Sequence, residues 1–193
     1  MNLMWRKLGR QLLYQTRHFK IFREPHSHDV AQLEHPFVVL ETRDWVQVIA
    51  VDTDSLRRPE ARLLWVEQFR VGPECTTLEI PGGALEEEDV DPLLAAKREL
   101  LEETGARAGR WLYLGNFSSN PALFRNRVHA FLAFGCELDP SVVLGDGSEV
   151  LDVQWHPFKD RFQMLLNKKV DHGLVAGALA LLEAHLQSGD SRL

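Results

Sequence analysis

The stretch from Pro81 to Ala106, PGGALEEEDVDPLLAAKRELLEETGA, constrains this chain more than any other. Gly82 and Gly83 open it. Asp91-Pro92 then reads as a helix start, with Asp as N-cap and Pro at the first helical position, where its missing N–H costs nothing. Gly105 can take the left-handed conformation that ends a helix, so the spacing predicts a helix from Asp91-Pro92 to about Thr104. At roughly 100° per residue, Leu93, Ala96, Leu100 and Thr104 fall on one side, flanked by Leu94 and Leu101. Glu99, Glu102 and Glu103 crowd the opposite arc, with small Ala95 beside them. Glu99 and Glu103 are one turn apart, and like charges at that spacing destabilise an isolated helix. A hard divalent cation between them removes that cost, because such ions take carboxylate oxygens. Three carboxylates taken alone read rather as a solvated acidic face, which is what a charge run usually is.

Composition narrows the partners. The chain has 193 residues, 45% of them hydrophobic, enough for one domain with a substantial core. Net charge is −6, and no Lys/Arg cluster tracks a phosphate backbone, so nucleic acid is not the expected partner. A small phosphorylated ligand fits, because metal ions can supply positive charge locally. Cys75 and Cys136 form no disulfide framework or metal-site spacing and suit a reducing compartment. No segment reads as a signal peptide or a membrane span, so the expected location is cytoplasmic, with no membrane partner.

Along the chain, Met1–Gln15 gives no firm assignment. His18–Arg23 alternates as a half-buried strand does, and Pro25–Asp29 reads as a turn carrying His26 and His28. Pro36–Thr42 and Trp45–Val51 read as strands joined by an Arg43-Asp44 hairpin. Leu63–Phe69 and Thr76–Ile80 are strands separated by a Gly72-Pro73 turn. Trp111–Phe117, the strongly apolar and therefore central Val128–Phe134, and Val150–His156 are further strands. Phe158–Lys168 and His172–Gln187 read as helices. Strands outnumber helices, which gives an α+β fold, a mixed sheet with helices on its faces. The expected organisation is an N-terminal strand region over residues 1–44 and a single catalytic domain over 45–193.

The Pro81–Ala106 stretch resembles the signature of the Nudix hydrolases. The family's closing half, Arg-Glu-apolar-any-Glu-Glu-any-Gly-apolar, stands here as Arg98-Glu99-Leu100-Leu101-Glu102-Glu103-Thr104-Gly105-Ala106. The opening half departs: counting back from Arg98, the family's glutamate and glycine positions hold Val90 and Ala84. An extra residue in the Glu86–Val90 loop restores the pattern, with Gly83 as the glycine and Asp89 or Glu88 as the acid. The resemblance implies an α/β/α sandwich in which the loop–helix–loop holds Mg²⁺, or Mn²⁺ in its place. It assigns metal ligation to Glu99 and Glu103, with Glu102 assisting and the Gly82 carbonyl adding a ligand. Arg98, four residues before Glu102, is close enough to pair with it and orient carboxylates.

Three further features are similar to the branch that hydrolyses ADP-ribose and nucleoside diphosphate sugars. Gln68-Phe69-Arg70 resembles its Gln-aromatic-Arg, which implies that Arg70 meets substrate phosphates; an ordinary strand-end charge is the plainer reading. Leu78-Glu79-Ile80-Pro81-Gly82 resembles its approach to the signature and brings in Glu79. Pro121 lies near where the branch carries a proline, in Asn120-Pro121-Ala122-Leu123-Phe124, followed by Arg127-Val128-His129. Phe124 suits a loop anchor as well as a base-stacking platform, and His129 a core histidine. The resemblance places the water-activating acid in the loop before the last strand, at Glu149, with Asp146 and Asp152 as competitors. The implied reaction is Mg²⁺-dependent hydrolysis of a nucleoside diphosphate sugar. Hydrolysis of nucleoside triphosphates or dinucleoside polyphosphates, and nucleotide sensing without catalysis, are the alternatives. The branch also implies a homodimer in which Arg17–Thr42 helps build the partner's substrate pocket.

Overall fold

The structure is a computed structural model and describes residues 3–144 and 150–193. The chain divides into two compact units, one of Met1–Asp44 with Ser118–Arg127, the other of Trp45–Phe117 with Val128–Leu193.

The first unit is an antiparallel ribbon. Two short strands, β1 (Arg6–Lys7) and β2 (Gln11–Gln15), pair along one edge of β3 (Phe19–His28), and β4 (Leu33–Thr42) pairs along the other. The turn expected at Pro25–Asp29 is not there: β3 continues to His28, and the chain reverses beyond it, where Gln32 has φ 50°. Pro25 is tolerated in mid-strand because Pro36 faces it across the ladder, where neither can donate, and its carbonyl accepts from Leu8 N at 2.8 Å. The segment after Ser118 runs beside β4, with Leu40 N donating to Leu123 O at 2.8 Å and Arg125 N donating to Leu40 O at 3.0 Å.

The second unit begins with β5 (Trp45–Ala50), followed by β6 (Arg62–Arg70), β7 (Cys75–Glu79) and helix α1 (Pro92–Thr104). Then come β8 (Ala106–Arg107), β9 (Arg110–Ser118), β10 (Arg127–Phe134), β11 (Glu137–Leu138) and β12 (Leu151–Pro157). Helices α2 (Arg161–Leu166) and α3 (Gly173–Gln187) close the chain. The Arg43-Asp44 hairpin is not formed, because β4 pairs with β3 whereas β5 runs parallel to β10. The order β5-β10-β9 makes β10 central in its sheet, as its apolar run requires, and β12-β6-β7 forms a second, antiparallel sheet. The helix expected over Phe158–Lys168 is shorter, a 3-10 turn at Phe158–Asp160 and then α2.

Alternate residues of β5 face opposite ways and build two cores. Val46, Val48 and Ala50 pack with Ala95, Ala96 and Leu100 of α1; Ile49 and Val51 pack with Val175, Ala178 and Leu179 of α3. The unit is therefore an α+β sandwich with helices on both sheet faces. Burying a side chain such as Leu100 fully contributes about 1.5–3 kcal/mol. No helix of the described residues is long and apolar enough to cross a membrane.

Candidate active site

Helix α1 forms where its caps dictate. Asp91 has extended backbone, and its carboxylate accepts from Leu93 N at 2.6 Å and Leu94 N at 3.3 Å; Gly105 closes the helix at φ 69°. Ala95, expected on the acidic arc, is fully buried, because α1 lies close against the sheet over its two small residues, Ala95 and Ala96. The same close approach buries Glu103, which is only 5% exposed.

The turn before the helix supplies what Glu103 needs. Pro81 and Gly83 carbonyls accept from Val48 N and Val46 N, each at 2.8 Å, so this segment runs as an extra strand along β5. Gly82, between them, points its N–H the other way, to Glu103 Oε2 at 2.9 Å. N–H and C=O of one residue in an extended chain share a side, so the Gly82 carbonyl faces the helix. A Cβ on Gly83 would overlap the Glu99 carboxylate, and one on Gly82 would overlap the Val46 carbonyl and reach Gln47 Nε2. Both glycines are required by close approach.

Arg98 holds the acids apart and in place. Its guanidinium donates to Glu99 Oε1 at 2.9 Å, Glu102 Oε2 at 3.1 Å, Asp89 Oδ2 at 3.0 Å and the Ala84 carbonyl at 3.0 Å. Burial opposes its charge, but Asp89, Glu99 and Glu102 outweigh burial and hold its pKa above the ordinary arginine value. Of the two candidate loop acids, Asp89 is thus the one that Arg98 holds, and it also accepts from Glu86 N at 2.8 Å. Glu102 is exposed.

The second anchor is an ion pair whose acid is buried. Arg70 donates through Nε and one terminal nitrogen to the two oxygens of Glu79, each at 2.8 Å. Glu79 is 1% exposed and also accepts from the Thr77 hydroxyl at 2.5 Å, with His172 Nε2 at 3.6 Å. Burial alone would raise the Glu79 pKa; the Arg70 fork and the Thr77 hydroxyl more than offset it and hold the carboxyl below its ordinary value. Sequence placed Glu79 against substrate; in the structure its oxygens are turned to Arg70.

Glu99, Glu103, Gly82, Gly83, Arg70 and His172 line one cleft of about 580 Å³. Among the described residues no three His, Cys, Asp or Glu side chains are already gathered at ligating separation. The donor set nevertheless fits a hard divalent ion: the Glu99 and Glu103 carboxylates, beside a glycine turn whose backbone comes close to both of them.

The other expected residues lie elsewhere. Pro121 and Phe124 line a separate concavity of the first unit, with Trp5, His26 and Phe37. Arg127 donates its backbone N–H to Asp44 at 2.7 Å and its guanidinium to Ser118 Oγ at 2.8 Å. His129 Nδ1 is 3.1 Å from the Tyr113 hydroxyl, and Asp152 is an exposed residue of β12 that accepts from Gln154 at 2.6 Å. Glu149 and Asp146 lie outside the described residues. Sequence reading missed His172 and Gln47 on the cleft wall. The one signal for Gln47 was a lone amide in an otherwise apolar strand.

A family model described as NUDIX domain matches residues 45–175, more than half of the chain. The chain is 29% identical over 125 residues to a methanol dehydrogenase activator of Bacillus methanolicus, a match covering 65% of this chain and 64% of that protein. It is 31% identical over 124 residues to an ADP-ribose pyrophosphatase of Bacillus subtilis, covering 64% and 66%. The chain thus spans just under two thirds of the length of these two relatives. Among solved structures, an ADP compounds hydrolase shares the fold with a TM-score of 0.80 at 20% identity, over 98% of this chain and 97% of that one.

Proposed function

Because this chain belongs to the Nudix family, we propose that it hydrolyses a phosphoric anhydride, the pyrophosphate of ADP-ribose or of another nucleoside diphosphate sugar. Water adds to one phosphorus and the bridging P–O bond breaks, giving a nucleoside monophosphate and a sugar phosphate. The observation that carries this reading is the pairing, in one cleft, of the Glu99–Glu103 carboxylates over the Gly82-Gly83 turn with a rigidly held Arg70. The name of the Bacillus subtilis relative favours ADP-ribose.

In this reading Glu99 and Glu103, with the Gly82 carbonyl, hold Mg²⁺, or Mn²⁺ in its place. A bound divalent ion neutralises phosphate charge and acidifies water. Arg98 keeps Glu99 and Glu102 oriented, and Gly82 N–H fixes the Glu103 carboxylate. Arg70, braced by Glu79, offers a cation to the substrate phosphates. The resemblance to the ADP-ribose branch gives Pro121, Phe124 and Arg127 a part in substrate binding. Glu149 activates water, so Glu149→Gln lowers kcat by roughly 10²–10⁴-fold, whereas Asp152→Asn costs much less. The ligand is a small molecule, not nucleic acid; the protein works as a homodimer, in a reducing cytoplasm that suits its two free cysteines.

The test is product release from a panel of ADP-ribose, UDP-glucose, GDP-mannose, nucleoside triphosphates and dinucleoside polyphosphates, with Mg²⁺ and with EDTA. Nucleotide sugars are expected to be cut with Mg²⁺ and untouched in EDTA. Preference for triphosphates or polyphosphates, no turnover of any of them, or activity that survives EDTA overturns the reading.

A further inference from the structure

Two buried polar atoms without partners line the cleft, and neither belongs to the signature or to the Arg70 pair. They are Gln47 Oε1 and His172 Nδ1. Gln47 is 5% exposed and sits on β5 between fully buried Val46 and Val48. Its side chain shares a strand face with Ile49, the face that packs on α3, and His172 is the residue that begins α3. The amide lies where a Gly82 side chain would otherwise be. An acceptor sealed from solvent and left unpaired is costly, which makes two of them on one cleft wall a mark of something that arrives with a ligand.

The chemistry of the pair names that ligand. His172 Nε2 faces the Glu79 carboxylate at 3.6 Å, so the proton of a neutral imidazole belongs on Nε2 and Nδ1 presents a lone pair. Gln47 Oε1 is likewise an acceptor. The carboxylate of Asp171, next to His172, lines the same cleft. Acceptors do not hold a phosphate, whose oxygens are acceptors too, and call for a group rich in O–H donors; on the wall of the same cleft it is Arg70 that suits a phosphate. We propose that Gln47 and His172 form a hydroxyl-recognising subsite for the sugar of the substrate, with Gln47 a specificity-determining residue. This rests on the nucleotide-sugar reading. It also says why that reading should hold against triphosphates, whose terminal phosphate would meet acceptors here.

The experiment titrates the full-length protein calorimetrically in EDTA with two probes: ribose 5-phosphate, and tetrahydrofurfuryl phosphate, which keeps the ring and phosphate but has no hydroxyls. The wild-type protein should bind ribose 5-phosphate about tenfold more tightly, the usual worth of a net hydrogen bond or two. In Gln47→Met, an apolar replacement of similar size, the ratio should fall to within about twofold, whereas Gln47→Glu, which keeps the acceptor oxygen, should retain it. If Gln47→Met does not fold, His172→Phe tests the same ratio, since His172 makes no side-chain cap bond whose loss would unseat α3. Equal binding of the two probes by the wild type, no binding of either, or an unchanged ratio in the apolar variants overturns the subsite. A wild type that discriminates the probes yet cuts only triphosphates leaves the subsite standing and defeats the substrate reading. One that cuts nucleotide sugars without discriminating the probes does the reverse.

Discussion

Glu103 is an acid placed on the buried side of a helix, and the backbone N–H of Gly82 stabilises it there. Glu103→Gln keeps an oxygen for that N–H, so the fold should persist with an unchanged circular dichroism spectrum. Turnover should fall by more than the roughly 10–100-fold that losing a metal ligand's hydrogen-bonding neighbour costs; near-normal turnover would remove Glu103 from the metal site. Glu79 makes a different prediction. Its pKa is lower folded than unfolded, so as pH falls the unfolded chain takes up the proton first. The stability Glu79 contributes is fully present above its unfolded value of about 4.3 and is lost as pH drops through its depressed folded value. Glu79→Gln should therefore lower stability at pH 7 by roughly 1–3 kcal/mol. Denaturant melts of the two proteins should converge only as pH falls below that depressed folded value. A gap that stays constant with pH would mean that shape, not charge, is what Glu79 supplies.

Helix α1 was legible because everything that starts and stops it is local: Asp91, Pro92, Gly105 and a repeating apolar side. Its cap gives a clean test, since Asp91→Ala removes the acceptor for Leu93 N and Leu94 N and should cost about 1 kcal/mol in urea melts, with no new exposed surface and hence an unchanged m-value. No loss of stability would mean that packing of Ala95, Ala96 and Leu100 alone sets where the helix begins. What was not legible is non-local. Pro25 looked like a turn because its partner, Pro36, is chosen by strand pairing rather than by neighbours in sequence. The Arg43-Asp44 hairpin looked sound because nothing nearby reveals that β5 pairs instead with β10, from the other half of the chain. The extra residue in the signature loop left two acids in contention, and that Arg98 reaches Asp89 nine residues away is visible only in three dimensions. The same limit hid the Arg70–Glu79 fork and the two orphan acceptors, Gln47 and His172. A strand sequence shows that a polar residue is present and not what faces it.

At the scale of the whole molecule, the first unit displays a run of apolar surface along β2. Strand β2 is exposed throughout, with Leu12 at 48%, Leu13 at 51% and Tyr14 at 61%, and β4 adds Val38 at 45%. The ladder slips between Leu12 and Tyr14, so consecutive apolar residues of β2 do not simply alternate into one covered face. Exposed apolar residues gathered on one short strand point to an interaction site, and the proposed homodimer supplies a second copy to cover it. Substitutions at freely exposed positions usually change stability by no more than about 0.5 kcal/mol. If a partner copy buries Leu13 and Tyr14, the pair Leu13→Asp and Tyr14→Asp places charges in an interface and must do far more. The expected result is a dimer mass by light scattering for the wild type at assay concentration and a monomer mass for the double variant, with a melting temperature that depends on concentration only in the wild type. A wild type that is monomeric and fully active at that concentration would leave this surface to another partner and give the first unit no part in joining two copies.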